Sequence, residues 1–190
     1  MDSDLPTVPV LYNYDTDRDA SPGLRIAKGG SGPDEADPTK YQAWLTPAFS
    51  EATVIEGDAT VKLWSGMKDF DGTKAGAVTV YLRDFDGWSY VELGSDTVSD
   101  PTWQGGSSWS LKTFRFSVGT YTIAPGHSLE LKVIVGGSSG DDMWFAYDTG
   151  PYRSRVAVSA SPSATARSGA VPASLVACGL RGIWARHLFP

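Results

Sequence analysis

In the stretch Ala77-Val-Thr-Val-Tyr-Leu-Arg-Asp-Phe-Asp-Gly-Trp-Ser-Tyr-Val-Glu-Leu-Gly94, side chains alternate in character up to an Asp-Gly pair and again after it. Val78, Val80 and Leu82 fall on one face and Thr79, Tyr81 and Arg83 on the other, the period of a half-buried β-strand. Asp86-Gly87 accepts positive φ, and its position between two such runs predicts a β-hairpin. The same reading applies to Ser128–Val135. There Leu129, Leu131, Val133 and Val135 oppose Ser128, Glu130 and Lys132. Helical spacing fits neither segment.

Outward from these two strands, shorter apolar runs predict others at Val8–Tyr14, Gly23–Lys28, Thr53–Ile55, Ala59–Ser65, Trp88–Leu93, Ser110–Val118, Met143–Tyr147 and Arg153–Val158. No stretch before Ser159 reads as a helix. The expectation is an all-β fold, two packed antiparallel sheets forming a β-sandwich or jelly roll of about eight to ten strands. After Val158 the chain turns to Ser, Ala, Thr and Gly, which bury too little surface to order themselves. The predicted organisation is a sandwich over residues 1–158, a linker over 159–170 and an apolar tail over 171–190, disordered or in a short helix.

The 190 residues carry a formal net charge of −6 and form no basic stripe, which argues against a nucleic-acid binder. No run approaches the roughly 18 apolar residues of a membrane span, and Met1–Pro9 lacks the pattern of a signal peptide. The expectation is a chain that stays inside the cell or a piece of a longer exported one. Cys178 is the single cysteine, so neither an internal disulfide nor a cysteine metal cluster can form. With only His127 and His187, a serine triad has few ways to be built.

Chemistry therefore has to come from acids and aromatics. Asn13, Asp15, Asp17 and Asp19 recur at every second position, a spacing that can supply several oxygens to Ca²⁺, although the central Gly and closing Glu of an EF-hand are missing. A solvated acidic turn is the competing explanation. Asp71 and Asp86 are explained by Asp-Gly turns, and Asp141 and Asp142 open a strand. Gly136-Gly137-Ser138-Ser139-Gly140 matches G-x-S-x-G, but a nucleophile elbow needs a helix next and a strand is predicted there. His127, after Pro125-Gly126, reads as a turn residue. Glu92 and Glu130 are the carboxylates on predicted strands for a glycosidase, with nothing in the sequence to pair them. Sugar rings stack on exposed aromatics, and Trp64, Trp88, Tyr90, Trp103 and Trp109 are the candidate ligand-binding residues.

The quoted hairpin stretch, with Ile123-Ala-Pro-Gly-His-Ser-Leu-Glu-Leu-Lys-Val133, resembles galactose-binding-like jelly-roll modules of bacteria. It is most similar to the non-catalytic C-terminal β-sandwich of X-Pro dipeptidyl-peptidase and cocaine-esterase type hydrolases. The match covers about a third of the chain, and no α/β-hydrolase domain accompanies it. The resemblance implies a module without a catalytic centre that assists a neighbouring domain or binds glycan. It also implies an extracellular or cell-surface location and makes a calcium ion near an early loop unsurprising. The resulting expectation is a carbohydrate-binding or accessory module with structural Ca²⁺. The alternatives are a module docking a protein partner through a sandwich edge or the apolar tail, and a small glycosidase.

Overall fold

Alternation of apolar side chains produces two sheets that share their apolar faces. The computed structural model describes residues 24–68, 72–105, 108–146, 152, 154–163 and the backbone of 174–179. Its strands are β1 (Leu24–Ile26), β2 (Lys28–Gly30), β3 (Tyr41–Leu45), β4 (Thr53–Met67), β5 (Thr73–Phe85), β6 (Tyr90–Gln104), β7 (Ser110–Ile123), β8 (Ser128–Gly136), β9 (Met143–Ala146), β10 (Arg155–Pro162) and β11 (Ser174–Gly179). The described residues contain no helix.

Two long strands organise the sheets. In the six-stranded sheet, β4 pairs with β7 along one edge; along the other it pairs with β10 over its first part and β9 over its last, with β1 beyond β9 and β11 beyond β10. In the five-stranded sheet, β8 pairs with β5 on one side and with β3 and β2 on the other, and β6 lies beyond β5. The pairings are antiparallel except for β2 with β8. Ile55, Val61, Leu63 and Met67 of β4 meet Val78, Val80 and Leu82 of β5 and Leu131, Val133 and Val135 of β8 in one core. These are the faces that the period-two reading assigned inward.

Trp103 locks the two layers at one end. It is fully buried on β6, and its indole N–H donates to Ser65 Oγ on β4 at 3.1 Å. Its ring lies against Gly76, where a Cβ would sit 2.6 Å from Trp103 Cε3 and 2.8 Å from Met67 Cε. The side wall between sheets is closed by edge strands β6 and β7. Asp96 of β6 accepts the backbone N–H of Arg115, and Asp100 pairs with Lys112.

Several expectations change. The two runs Thr53–Ile55 and Ala59–Ser65 are one strand, its register shifted at Gly57/Asp58 by a bulge that Gly57 permits with φ 80°. Gly23–Lys28 divides between β1 and β2, which join different sheets. Trp88 belongs to the hairpin turn, and the strand after it starts at Tyr90 and runs to Gln104. β3 was not expected, because its five residues YQAWL have no clean alternation and even Gln42 is fully buried. β10 continues to Pro162, past the boundary expected at Val158, because β4 offers it partners as far as Thr53. Residues 174–179, expected to be disordered or in a short helix, pair antiparallel with β10, whose open edge supplies the ladder. The expected strand Val8–Tyr14 lies outside the described residues.

The Gly76 contact generates a stability prediction. Gly76→Ala must displace the enclosed Trp103 ring and lower the unfolding free energy by about 1–3 kcal/mol in urea titration. Gly136→Ala, whose new methyl would meet Ala77 at an ordinary 3.5 Å, serves as the control and changes it little.

Candidate functional site

The hairpin between β5 and β6 is built around one carboxylate. Asp86 N–H donates to the Ser89 carbonyl; Asp86 Oδ1 accepts the N–H groups of Trp88 and Ser89, both at 2.7 Å, and Oδ2 accepts the Ser89 hydroxyl. The backbone bonds from Ser89 and Trp88 hold the Asp86 carboxyl down at about 2. Gly87 takes the left-handed conformation, φ 102°, that the sequence pair anticipates. This immobilised turn presents Trp88 with 97% of its surface exposed, followed by the exposed Tyr90 and Val91. The Arg83 guanidinium packs over the Tyr90 ring, 3.7 Å from its centroid.

Below the turn lies Asp84, buried on the inner face of β5. It accepts the Tyr121 hydroxyl at 2.9 Å and faces His127 Nδ1 at 3.0 Å. Burial, and then the bond to Asp84, push the Tyr121 hydroxyl above its ordinary value. The main chain at His127 bonds to the Ala124 carbonyl and to the Phe49 amide. The imidazole thus ties the β7–β8 turn to β5, the turn role read from Pro125-Gly126-His127.

On the outer face of the five-stranded sheet, Arg83, Glu130 and Lys132 are buried although they alternate with core residues. Residues 31–40 cover them as a strap. Arg83 Nη2 pairs with Glu130, Arg83 Nη1 donates to the Pro33 carbonyl, and Lys132 Nζ donates to the carbonyls of Pro33 and Glu35. Lys132 also packs on the Tyr41 ring, 4.2 Å from its centroid. Desolvation and the neighbouring Arg83 lower its ammonium to about 8. Sequence reasoning missed this cluster because an alternating charged strand reads as a solvated face. The Gly-Gly-Ser-Gly-Pro run at 29–33, which hints at a folded-back segment, was the available signal.

The aromatic candidates do not form one platform. Trp88 and Tyr90 sit together at the hairpin tip. Trp64 of β4 and Trp109, just before β7, are half-buried at the other end of the sandwich, grouped around Tyr152 with centroid distances of 5.2 Å and 5.8 Å. Trp103 must be corrected as a ligand-binding residue: fully buried, it offers no face to a sugar. The calcium candidates Asn13, Asp15, Asp17 and Asp19 lie outside the described residues. Among the described residues, no three of His, Cys, Asp and Glu are grouped to hold a metal ion.

Asp71 lies outside the described residues, and the other acids singled out from the sequence have structural partners. Asp141 pairs with Lys74 and Asp142 with Arg25. Ser139 of the G-x-S-x-G match is buried, and its hydroxyl bonds both the N–H and the carbonyl of Ala77, which anchors the loop to β5. The chain then enters β9, not a helix. Glu130 and Glu92 are the register neighbours of Arg83 on either side. Glu130 is spent on the guanidinium, and Glu92 accepts the Ser95 hydroxyl.

No protein-family model matches the chain, and no curated protein matches it. Among solved structures, the fold is similar to part of an aminopeptidase from a marine sediment archaeon, Thaumarchaeota archaeon. The TM-score is 0.57 at 12% identity, over 72% of this chain and 28% of that one. An α-amino acid ester hydrolase (TM-score 0.48, 13% identity, 68% of this chain and 27% of that one) and a CocE/NonD family hydrolase from Staphylococcus aureus (0.45, 12%, 61% and 30%) align less well. The chain spans less than a third of each neighbour's length. At such identities the likeness is one of fold.

The strapped lysine makes the pH dependence of stability unusual. Its folded value of about 8 lies below the ordinary lysine value of 10.5, so between them the unfolded chain binds more protons and stability rises with pH. Above pH 10, Tyr81 and Tyr121, both raised first by burial, act in the opposite sense. Urea titrations from pH 8 to 10 should show the rise, and Lys132→Met should abolish it.

Proposed function

We propose that this chain is a non-catalytic accessory β-sandwich of an exported bacterial protein, and that it binds carbohydrate at the β5–β6 hairpin tip with Trp88 as the stacking ring. The observation that carries the reading is a tryptophan 97% exposed on a turn fixed by three bonds to one carboxylate. A turn whose backbone is already held in place loses little main-chain freedom when a sugar face stacks on its ring. The large apolar side chains exposed among the described residues are Trp88, Tyr90, Val91 and Leu111. Leu111 on β7 sits beside Trp64 at the far end, so the tip contributes Trp88, Tyr90 and Val91, a small area beside the roughly 800 Å² each partner buries in a standard protein interface.

A second reading has its own observation. The similar aminopeptidase is more than three times the length that aligns, so the sandwich fold there is one part of a longer chain. In such a setting Trp88 would dock a neighbouring domain. Electrophoresis through gels containing neutral and acidic polysaccharides separates the two. Carbohydrate binding is expected to retard the protein, and Trp88→Ala to weaken retention at least tenfold without lowering the melting temperature. Retention that survives the substitution removes Trp88 from the site, and no retention on any polymer favours the docking reading.

Structural calcium at Asn13, Asp15, Asp17 and Asp19 is the remaining part of the proposal, supported by the alternation of oxygen-bearing side chains. A cation bound only by the folded state raises its stability. Millimolar calcium is expected to raise the melting temperature above that in chelator, and Asp17→Ala to remove the difference. Equal melting in both conditions overturns the calcium site.

A further inference from the structure

We propose that the carbohydrate bound at the hairpin tip is acidic, and that its carboxylate is read by Arg83 and Lys132 once the strap 31–40 lifts from the sheet. The inference rests on the carbohydrate reading above and narrows it to a polymer bearing uronate groups.

The strap's own carbonyls mark the place. Pro33 O accepts Arg83 Nη1 at 2.9 Å and Lys132 Nζ at 2.8 Å, and Glu35 O accepts the same ammonium at 2.6 Å. An oxygen that takes bonds from two cations occupies a position whose donors suit a carboxylate better, since ionised acceptors make the stronger bonds. The carboxylates of Glu130, Glu35 and Asp34 act on Lys132 in its favour, yet desolvation and the neighbouring Arg83 outweigh them. The cluster's ion pair is Arg83 with Glu130, and among the described residues Lys132 has no ion pair of its own. A neutral carbonyl cannot offset the charge of a buried ammonium, and the lowered value of Lys132 registers that cost.

The strap is built to move as one piece. Its bonds are largely internal: the Glu35 carboxylate accepts the Ser31 amide and hydroxyl and the Asp37 amide, and the Asp37 carboxylate accepts the Thr39 amide and hydroxyl. Gly29 and Gly32 precede or open it at φ 92° and 143°, with no atom within 4 Å of where a Cβ would stand. Lifting the strap breaks its bonds to Arg83 and Lys132, and that of the Ala27 amide to the Thr39 carbonyl, and leaves these internal ones intact. The exposed cations would then lie between Tyr41 under Lys132 and Tyr90 over Arg83, and Tyr90 already belongs to the tip that presents Trp88. Two flanking rings and a pair of cationic donors match a sugar ring that carries a carboxylate. The net charge of −6 opposes an acidic polymer only at long range, and salt screens that repulsion beyond about 8 Å.

The test compares polygalacturonate with its fully methyl-esterified form, a neutral polymer with the same backbone, at physiological salt on the whole chain. The acid form is expected to bind at least tenfold more tightly, and Lys132→Met to bring the ratio of the two affinities close to one. Calorimetry of the unsubstituted protein at pH 8.5, in two buffers of different ionisation heat, gives a readout that needs no variant. Binding is expected to take up protons, because the incoming carboxylate draws Lys132 back toward its ordinary value. Equal affinity for both polymers, or binding of the acid form without proton uptake, overturns the inference. If that equal binding depends on Trp88, the carbohydrate reading stands; if the tip retains neither these polymers nor any other, both readings fall.

Discussion

A carboxylate buried at the end of a β-sandwich has to be given donors or it destabilises the fold. Asp84 is that carboxylate, and its two partners come from elsewhere in the chain: Tyr121 from β7 and His127 from the turn before β8. Meeting its demand therefore fixes three elements against each other. The Phe49 main chain bonds in turn to Gly126 and His127, which brings the β3–β4 connection into the same assembly. The hairpin tip two residues beyond Asp84 inherits this rigidity, and the local bonds to Asp86 complete it. Trp88 is thus exposed at the end of a strand held from below and in a turn held from within.

The five-stranded sheet treats its outer face as a second interior. Arg83, Glu130 and Lys132 are covered by the strap, so charges that would cost little in water are placed where each needs a partner. The fold answers with one ion pair, three bonds to main-chain carbonyls and two tyrosine rings. This answer is less complete than the one given to Asp84, and the depressed Lys132 ammonium is its physical trace.

The long edges of β6 and β7 are managed by carboxylates of β6. Asp96 Oδ1 accepts the Thr97 amide and Oδ2 the Arg115 amide of β7, while Asp100 accepts the Thr102 amide and pairs with Lys112. Backbone donors that would otherwise invite another strand are occupied by side chains, a common defence of exposed edges. The bond from Lys112, followed by that from Thr102, holds the Asp100 carboxyl at about 2, so the defence persists well into acid.

The amino-acid sequence by itself determined the class of fold, because period-two alternation in Ala77–Leu82 and Ser128–Val135 assigns each side chain to a face before any partner is known. It also determined the hairpin, since Asp86-Gly87 carries its turn chemistry within four residues. What lies far apart along the chain was decided only by tertiary structure. Trp103 and Trp88 are both tryptophans beside turns, yet one fills the space over Gly76 and the other stands in solvent, a difference set by the opposing sheet. Lys132 and Glu130 have the alternation of a wet face, and only the return of residues 31–40 buries them. A strand pattern records which face a side chain takes; what covers that face depends on contacts between segments about a hundred residues apart, such as Pro33 with Lys132, and those leave no local signature.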